Sequence, residues 1–192
     1  MSPGRTEAIG WAVVATPFAL LLYHLNSGDF DAAPWRSAVH ESGLWALRWT
    51  TIAVLVSPFV ALTGIRAIEP ARRALGLGAA LYGFAHVWFW LRQYAFDWDF
   101  LLDEILRLFL LVGLAGTLLM VPLALTSNDY ARKRLGMDLW RKIHLLVYPA
   151  AGAAWFHFAL SIRIGRVELY LHAIGLLIAL GHRLQRAFAK PR

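Results

Sequence analysis

The chain has 192 residues, 59% of them hydrophobic and only 16% charged, with a mean hydropathy of +0.53. A soluble domain carries roughly 25% charged residues, so this composition points to a membrane protein. Cysteine is absent, which excludes disulfides, iron–sulfur clusters, covalently attached c-type haem and thiol catalysis.

Six apolar runs follow one another, at about 9–25, 44–65, 74–94, 104–125, 143–162 and 168–184. A helical span needs roughly 20 mostly apolar residues, and about 17 still suffice. Alternating strand-length segments are missing, so a β-barrel is not expected and the spans should be helices. The first run, AIGWAVVATPFALLLYHL, has no small-x-small cleavage site after it and is read as a retained helix. NSGDFDAAPW is then a loop, and RSAVHESGLWALRW leads into the second helix, which Pro58 should kink. RAIEPARRALG is a short turn with Pro70 suited to the first turn of the third helix. That helix carries the small residues Gly76, Gly78, Ala79, Ala80 and Gly83, which allow close approach of a neighbour or a flat cofactor. FDWDF is an acidic, aromatic loop, and the fourth helix contains Gly113 and Gly116 and ends near Pro122 or Leu125. TSNDYARKRLGMDLWRKIH is the most polar stretch and suits an amphipathic helix on the membrane surface. The fifth helix contains Pro149, and IRIGR turns directly into the sixth. One transmembrane domain over 1–192, an all-α bundle of six transmembrane helices, is the expected architecture.

The net charge of +7 is distributed by topology and does not signal nucleic-acid binding. With the N-terminus inside, 13 of the 19 basic residues but only 4 of the 12 acidic ones fall on the inner side. Arg66, Arg72, Arg73, Arg132, Lys133, Arg134, Arg141, Lys142, Arg183 and Arg186 are among them. The positive-inside rule then places both termini in the cytoplasm.

Histidines within hydrocarbon-length segments are costly and usually functional. His86 lies in the third run, and His144 and His157 lie at the inner start and in the outer half of the fifth. Thirteen residues of helix rise about 20 Å, too far for His144 and His157 to share one iron but suited to two stacked haems. Similar depth pairs His86 with His157 as axial ligands of an outer haem. On an ideal helix His144 and His157 are about 140° apart, and Pro149 between them can kink or retwist the backbone. An inner haem on His144 needs a partner, for which His182 at the inner end of the sixth helix is the candidate. His24, His40 and His172 read as interfacial or solvated residues. Arg48, Arg92, Arg107 and Arg163 are outer candidates to neutralise propionates, and Arg141, Lys142 and Arg183 inner ones. Arg72 and Arg73 are placed to meet a flavin phosphate or a quinone. Phe84, Trp88, Trp155 and Phe158 are aromatics for a cofactor edge or for ordinary packing.

With these residues in view, the chain resembles the haem-binding membrane subunits of the bacterial periplasmic protein-methionine-sulfoxide reductase system, within the ferric-reductase-like transmembrane proteins. The resemblance covers almost the whole chain. HESGLWAL resembles the family's histidine-x-x-glycine segment, on His40 and Gly43. RRALG followed by FAH matches on Arg72, Arg73, Leu75, Gly76 and His86. LALTS matches the end of helix 4, and RLG, W, IH and VYP with the later histidine place the family's roles on His144 and His157. The resemblance implies an electron carrier rather than a substrate-reducing enzyme. Electrons would come from the quinone pool or a cytosolic flavin reductase, pass through haem b (one or two), with FMN also reported for the family, and reach a periplasmic molybdopterin-containing methionine-sulfoxide reductase that repairs oxidised proteins. Two other classes fit the residues alone: a quinol-linked b-type cytochrome of another pathway, and a cofactor-free proton-coupled transporter using its histidines as relays.

Overall fold

The computed structural model describes residues 2–30, 32–161 and 166–189, and every regular element among them is helical. The helices are α1 (Pro3–Ser27), α2 (Pro34–Thr63), α3 (Ala71–Gln93), α4 (Trp98–Glu104), α5 (Leu108–Thr126), α6 (Asp129–His144), α7 (Val147–Ser161) and α8 (Val167–Phe188), with a 3₁₀ turn at Arg66–Ile68. Six stretches are long and apolar enough to cross a membrane: α1, α2, α3, α5, α6 with α7, and α8. The six apolar runs are thus six helical spans, as lipid requires of a backbone that must satisfy its own hydrogen bonds. "Outer" and "inner" below denote the ends that the charge distribution assigns.

α2 starts ten residues earlier than its apolar run. Pro34 opens the helix, where its missing N–H is no loss, and Gly64 at φ 72° closes it by donating its N–H to Val60 O. Thirty residues rise about 45 Å against a hydrocarbon core of about 30 Å, so the first turns of α2 stand clear at the outer end. The FDWDF loop holds the short helix α4, capped by the Asp97 carboxylate, which accepts the Phe100 N–H. The hydroxyls of Ser42, Thr50, Thr51, Thr117 and Thr126 donate to carbonyls one turn back on their own helices, so these polar residues cross the bundle satisfied.

The fifth span is not one regular helix. Pro149 has no N–H to give Leu145 O, and the ladder tightens just before it. Leu145, Leu146 and Tyr148 donate to carbonyls only three residues back, those of Lys142, Ile143 and Leu145. Each such step turns about 120° instead of about 100°, so three of them cut the roughly 140° between His144 and His157 to roughly 80°. The proline retwist brings the two histidines toward a common face.

α2 is the central helix, packing most extensively on α3 and also on α1, α7 and α8, while α5 packs on α7 and α3. α3 and α7 are not among the closely packed pairs, and His86 and His157 meet between them. A buried cluster of Val14, Trp49, Ala53, Val56, Leu75 and Tyr82 joins α1, α2 and α3, and Leu44, Leu47, Phe158 and Leu169 join α2, α7 and α8. Gly78 lets α1 and α3 meet, since a Cβ there would run into the Val14 side chain. The outside is apolar: Leu62, Leu125, Leu177 and Ile174 are exposed, which suits lipid contact.

The topology makes the first prediction. Single cysteines introduced at Ala32 and Arg134 of this cysteine-free chain should label from opposite sides of the membrane. Labelling of both from one side contradicts the arrangement.

Candidate functional site

His86 on α3 and His157 on α7 face each other, their ring centroids 5.9 Å apart and their planes at 82°. Each is anchored from behind. His86 Nδ1–H donates to Val39 O of α2 at 2.7 Å, and His157 Nδ1–H donates to Phe109 O of α5 at 2.6 Å. A carbonyl can only accept, so both Nδ1 atoms carry the proton and both Nε2 atoms hold a free lone pair. That tautomer suits metal ligation, and a backbone carbonyl on the second ring nitrogen is the usual partner that fixes a ligating imidazole.

The spacing can be tested against the group it would hold. A metal–imidazole bond of about 2 Å on each side, plus about 1.1 Å to each ring centroid, separates the centroids by about 6.3 Å. The observed 5.9 Å is within half an ångström of this. Among the described residues no group of three or more His, Cys, Asp or Glu could hold a metal ion. A porphyrin supplies four of the iron's ligands itself, so the donor set present, two imidazoles and nothing more, fits haem.

Two glycines make room for these rings. A Cβ at Gly43 would lie 2.7 Å from His86 Nδ1, and one at Gly113 would lie 2.6 Å from His157 Nδ1. The Phe109 ring stacks on His157 at 5.9 Å and 24°. Gly113 and Phe109 had no visible role in the sequence, and the carbonyls of Val39 and Phe109 have no side-chain signature. Among the expected edge aromatics, Phe158 instead packs with Leu44, Leu47 and Leu169, Trp155 Nε1–H donates to Leu169 O, and Trp88 meets Trp35.

At the inner end lies a cavity of about 500 Å³, within the range of small-molecule sites. His144, Arg72, Arg73, Arg132, Arg141 and Arg183 line it, with Tyr148 and the acids Glu7, Glu69 and Asp129. His144 Nδ1–H donates to Trp140 O at 3.0 Å and its ring stacks on Trp140 at 3.9 Å. Ser127 Oγ lies 3.4 Å from Nε2, but its proton is already committed to Leu123 O at 2.6 Å. His144 Nε2 therefore keeps its lone pair at the cavity. Arg72 donates to Ser57 Oγ at 3.0 Å, and Arg73 is 3.7 Å from Glu7.

His182 does not join this group. It is absent from the cavity lining, and its Nε2 is buried with no hydrogen-bond partner. The remaining histidines also have places of their own. His24 holds Asp29 at 3.2 Å, and Ser27 and His24 together keep that carboxyl below its ordinary range. His172 is buried between α8 and α2, where its Nδ1–H donates to Thr51 Oγ1 at 2.9 Å. His40 is exposed near the outer end of α2. Of the outer arginines, Arg48 pairs with Glu168 at 2.6 Å, Arg92 lies over Trp35 and Arg107 pairs with Glu104. Arg163 lies outside the described residues.

A six-span helical bundle with a facing histidine pair defines a class of membrane protein, and the family described as "Ferric reductase like transmembrane component" matches residues 42–155. More specific relatives are named "Protein-methionine-sulfoxide reductase heme-binding subunit MsrQ". The protein of Brucella anthropi is 34% identical over 95% of this chain and 83% of its own length. That of Polaromonas naphthalenivorans is 35% identical over 94% and 84%, and that of Brucella ovis 33% over 99% and 87%. The chain belongs to the MsrQ family of ferric-reductase-like membrane proteins. No solved structure matches it.

Proposed function

We propose that this chain is the haem-carrying electron-transfer subunit of a methionine-sulfoxide reductase system in a bacterial inner membrane, with both termini cytoplasmic. One observation carries the reading: His86 and His157, each anchored through Nδ1 to a backbone carbonyl, lie with ring centroids 5.9 Å apart, a separation close to that of two imidazoles on one iron. The names of the relatives support it.

Haem b supplies one-electron chemistry when bound. The rest is the work of the chain. His86 and His157 would hold the haem between α3 and α7, and the chemistry it would supply there is one-electron transfer. Val39 O and Phe109 O hold the two rings and raise their basicity, and the apolar walls of α3, α5 and α7 exclude water.

The inner cavity is proposed as the entry point for electrons. His144 offers one ligand there, and Arg72 and Arg73 offer two cations for an anionic group. A second haem on His144 is the favoured occupant. The cavity brings no second histidine to His144, which keeps an FMN phosphate or a quinone hydrogen-bonded to His144 as the alternative. Haem-to-protein stoichiometry separates these: two haems per chain are expected, and one at full occupancy removes the inner haem. His182, matched to His144 by depth, is the remaining histidine to test as an opposite ligand, and a normal inner-haem spectrum in His182→Ala rules it out.

The electron recipient is proposed to be a periplasmic molybdopterin-containing methionine-sulfoxide reductase, and the donor the quinone pool or a cytosolic flavin reductase. The outer helix α4 and its approach present Phe96, Trp98 and Phe100 with Asp97 and Asp99, all exposed. Neutralising Asp97 and Asp99 should slow transfer to the partner while leaving haem reduction intact. Equal transfer rates would remove this loop from the interface. The function itself is tested by reconstitution, where the chain should carry electrons from quinol or flavin reductase to the partner. A partner that turns over equally fast without it contradicts the reading.

A further inference from the structure

The outer histidine pair leaves a question of charge. Any group held there with anionic substituents needs cations at its outer edge, and the obvious outer arginines are engaged elsewhere. Arg48 is held by Glu168, Arg92 by the Trp35 ring and Arg107 by Glu104.

α2 supplies the alternative. Gly43 faces His86 across its missing Cβ, while Leu44 and Leu47 pack against Phe158 of α7. Gly43 therefore marks the azimuth of α3, and Leu44, about 100° further round, marks that of α7. Counting back along the helix, His40 falls at about 60° and Arg36 at about 20° from Gly43, inside the sector between α3 and α7. Glu41 falls about 160° away, on the far side. His40 stands about 4.5 Å further out than Gly43, and Arg36 about 10.5 Å, and side chains lean toward a helix N-terminus, here the outer end. Both are exposed, and neither has a hydrogen-bond or ion-pair partner among the described residues. The first turn of α2 contains no acidic residue to balance Arg36.

We propose that His40 and Arg36 receive the anionic edge of the outer cofactor, the propionates of the haem held by His86 and His157. They are positioning residues, acting through the cofactor's charge and touching neither its iron nor a substrate. The inference rests on the haem reading above.

The test uses the purified holoprotein and two forms of the cofactor, native haem and its dimethyl ester, in which the propionate charge is removed. In His40→Gln/Arg36→Gln, native haem should transfer to apomyoglobin about tenfold faster or more, the usual scale for losing charge-assisted hydrogen bonds. The midpoint potential of the outer haem should fall, because lost positive charge favours the ferric form. Low-spin electron paramagnetic resonance g-values should stay put, showing that His86 and His157 still ligate. With the dimethyl ester, variant and wild type should agree in transfer rate, and Arg36→Lys with His40→Arg should restore native behaviour. Equal rate changes with both cofactors would show a merely structural effect and overturn the proposal, as would no rate change with either. A well-folded wild-type protein that takes up no haem overturns this proposal together with the reading beneath it, whereas normal uptake with no ester dependence overturns this proposal alone.

Discussion

Alanine in place of either His86 or His157 is expected to abolish the outer low-spin haem signal while the protein still inserts in the membrane. The rings are only half-buried, so their removal leaves the main packing clusters of α1–α3 and of α2, α7 and α8 intact. Loss of an axial ligand should exceed the roughly 10–100-fold penalty typical of groups that only orient a ligand. Expression level and detergent-solubilised size should match the wild type, and the spectrum of the outer haem should vanish in each variant separately. Unchanged haem content and spectrum in both variants would refute the assignment.

The second large effect concerns residues that carry no ligating atom. Gly43→Ala puts a methyl 2.7 Å from His86 Nδ1, and Gly113→Ala puts one 2.6 Å from His157 Nδ1. Carbon and nitrogen cannot approach so closely, so each ring must move and lose its hydrogen bond to Val39 O or Phe109 O. Overpacking of this kind costs about 1–3 kcal/mol, and displacing an orienting partner costs about 10–100-fold in metal affinity. Haem content should therefore fall in both variants although both histidines remain. Gly4→Ala and Gly152→Ala are the controls, since nothing lies within 4 Å of a Cβ at either position. Those two should keep full haem and gain slightly in helix stability. Full, unperturbed haem binding in Gly43→Ala and Gly113→Ala would show that the rings do not sit where the structure places them.

The six spans were legible because lipid leaves the chain little choice: apolar runs of spanning length must be helices. Their ends were less so. α2 begins at Pro34, and residues such as Arg36, His40 and Ser42 hid its first turns because hydropathy registers burial rather than helix starts. Depth along the helices also paired His86 with His157, whose rings lie 5.9 Å apart. What depth could not supply was azimuth. The approach of His144 to the face of His157 depends on a few tightened steps before Pro149, a local departure invisible to a regular 3.6-residue count. The anchoring carbonyls and the space at Gly113 arise only when α5 meets α7, so no pattern within one helix announces them. His182 shows the converse limit: matching depth with His144 did not bring it to the cavity lining.

One measurement bears most directly on the central claim: visible and electron paramagnetic resonance spectroscopy of the purified, membrane-extracted wild-type protein. A b-type α band on reduction, with a ferric low-spin signal of bis-imidazole character, is the expected result. A folded, monodisperse protein showing neither band nor low-spin signal after haem supplementation would contradict it.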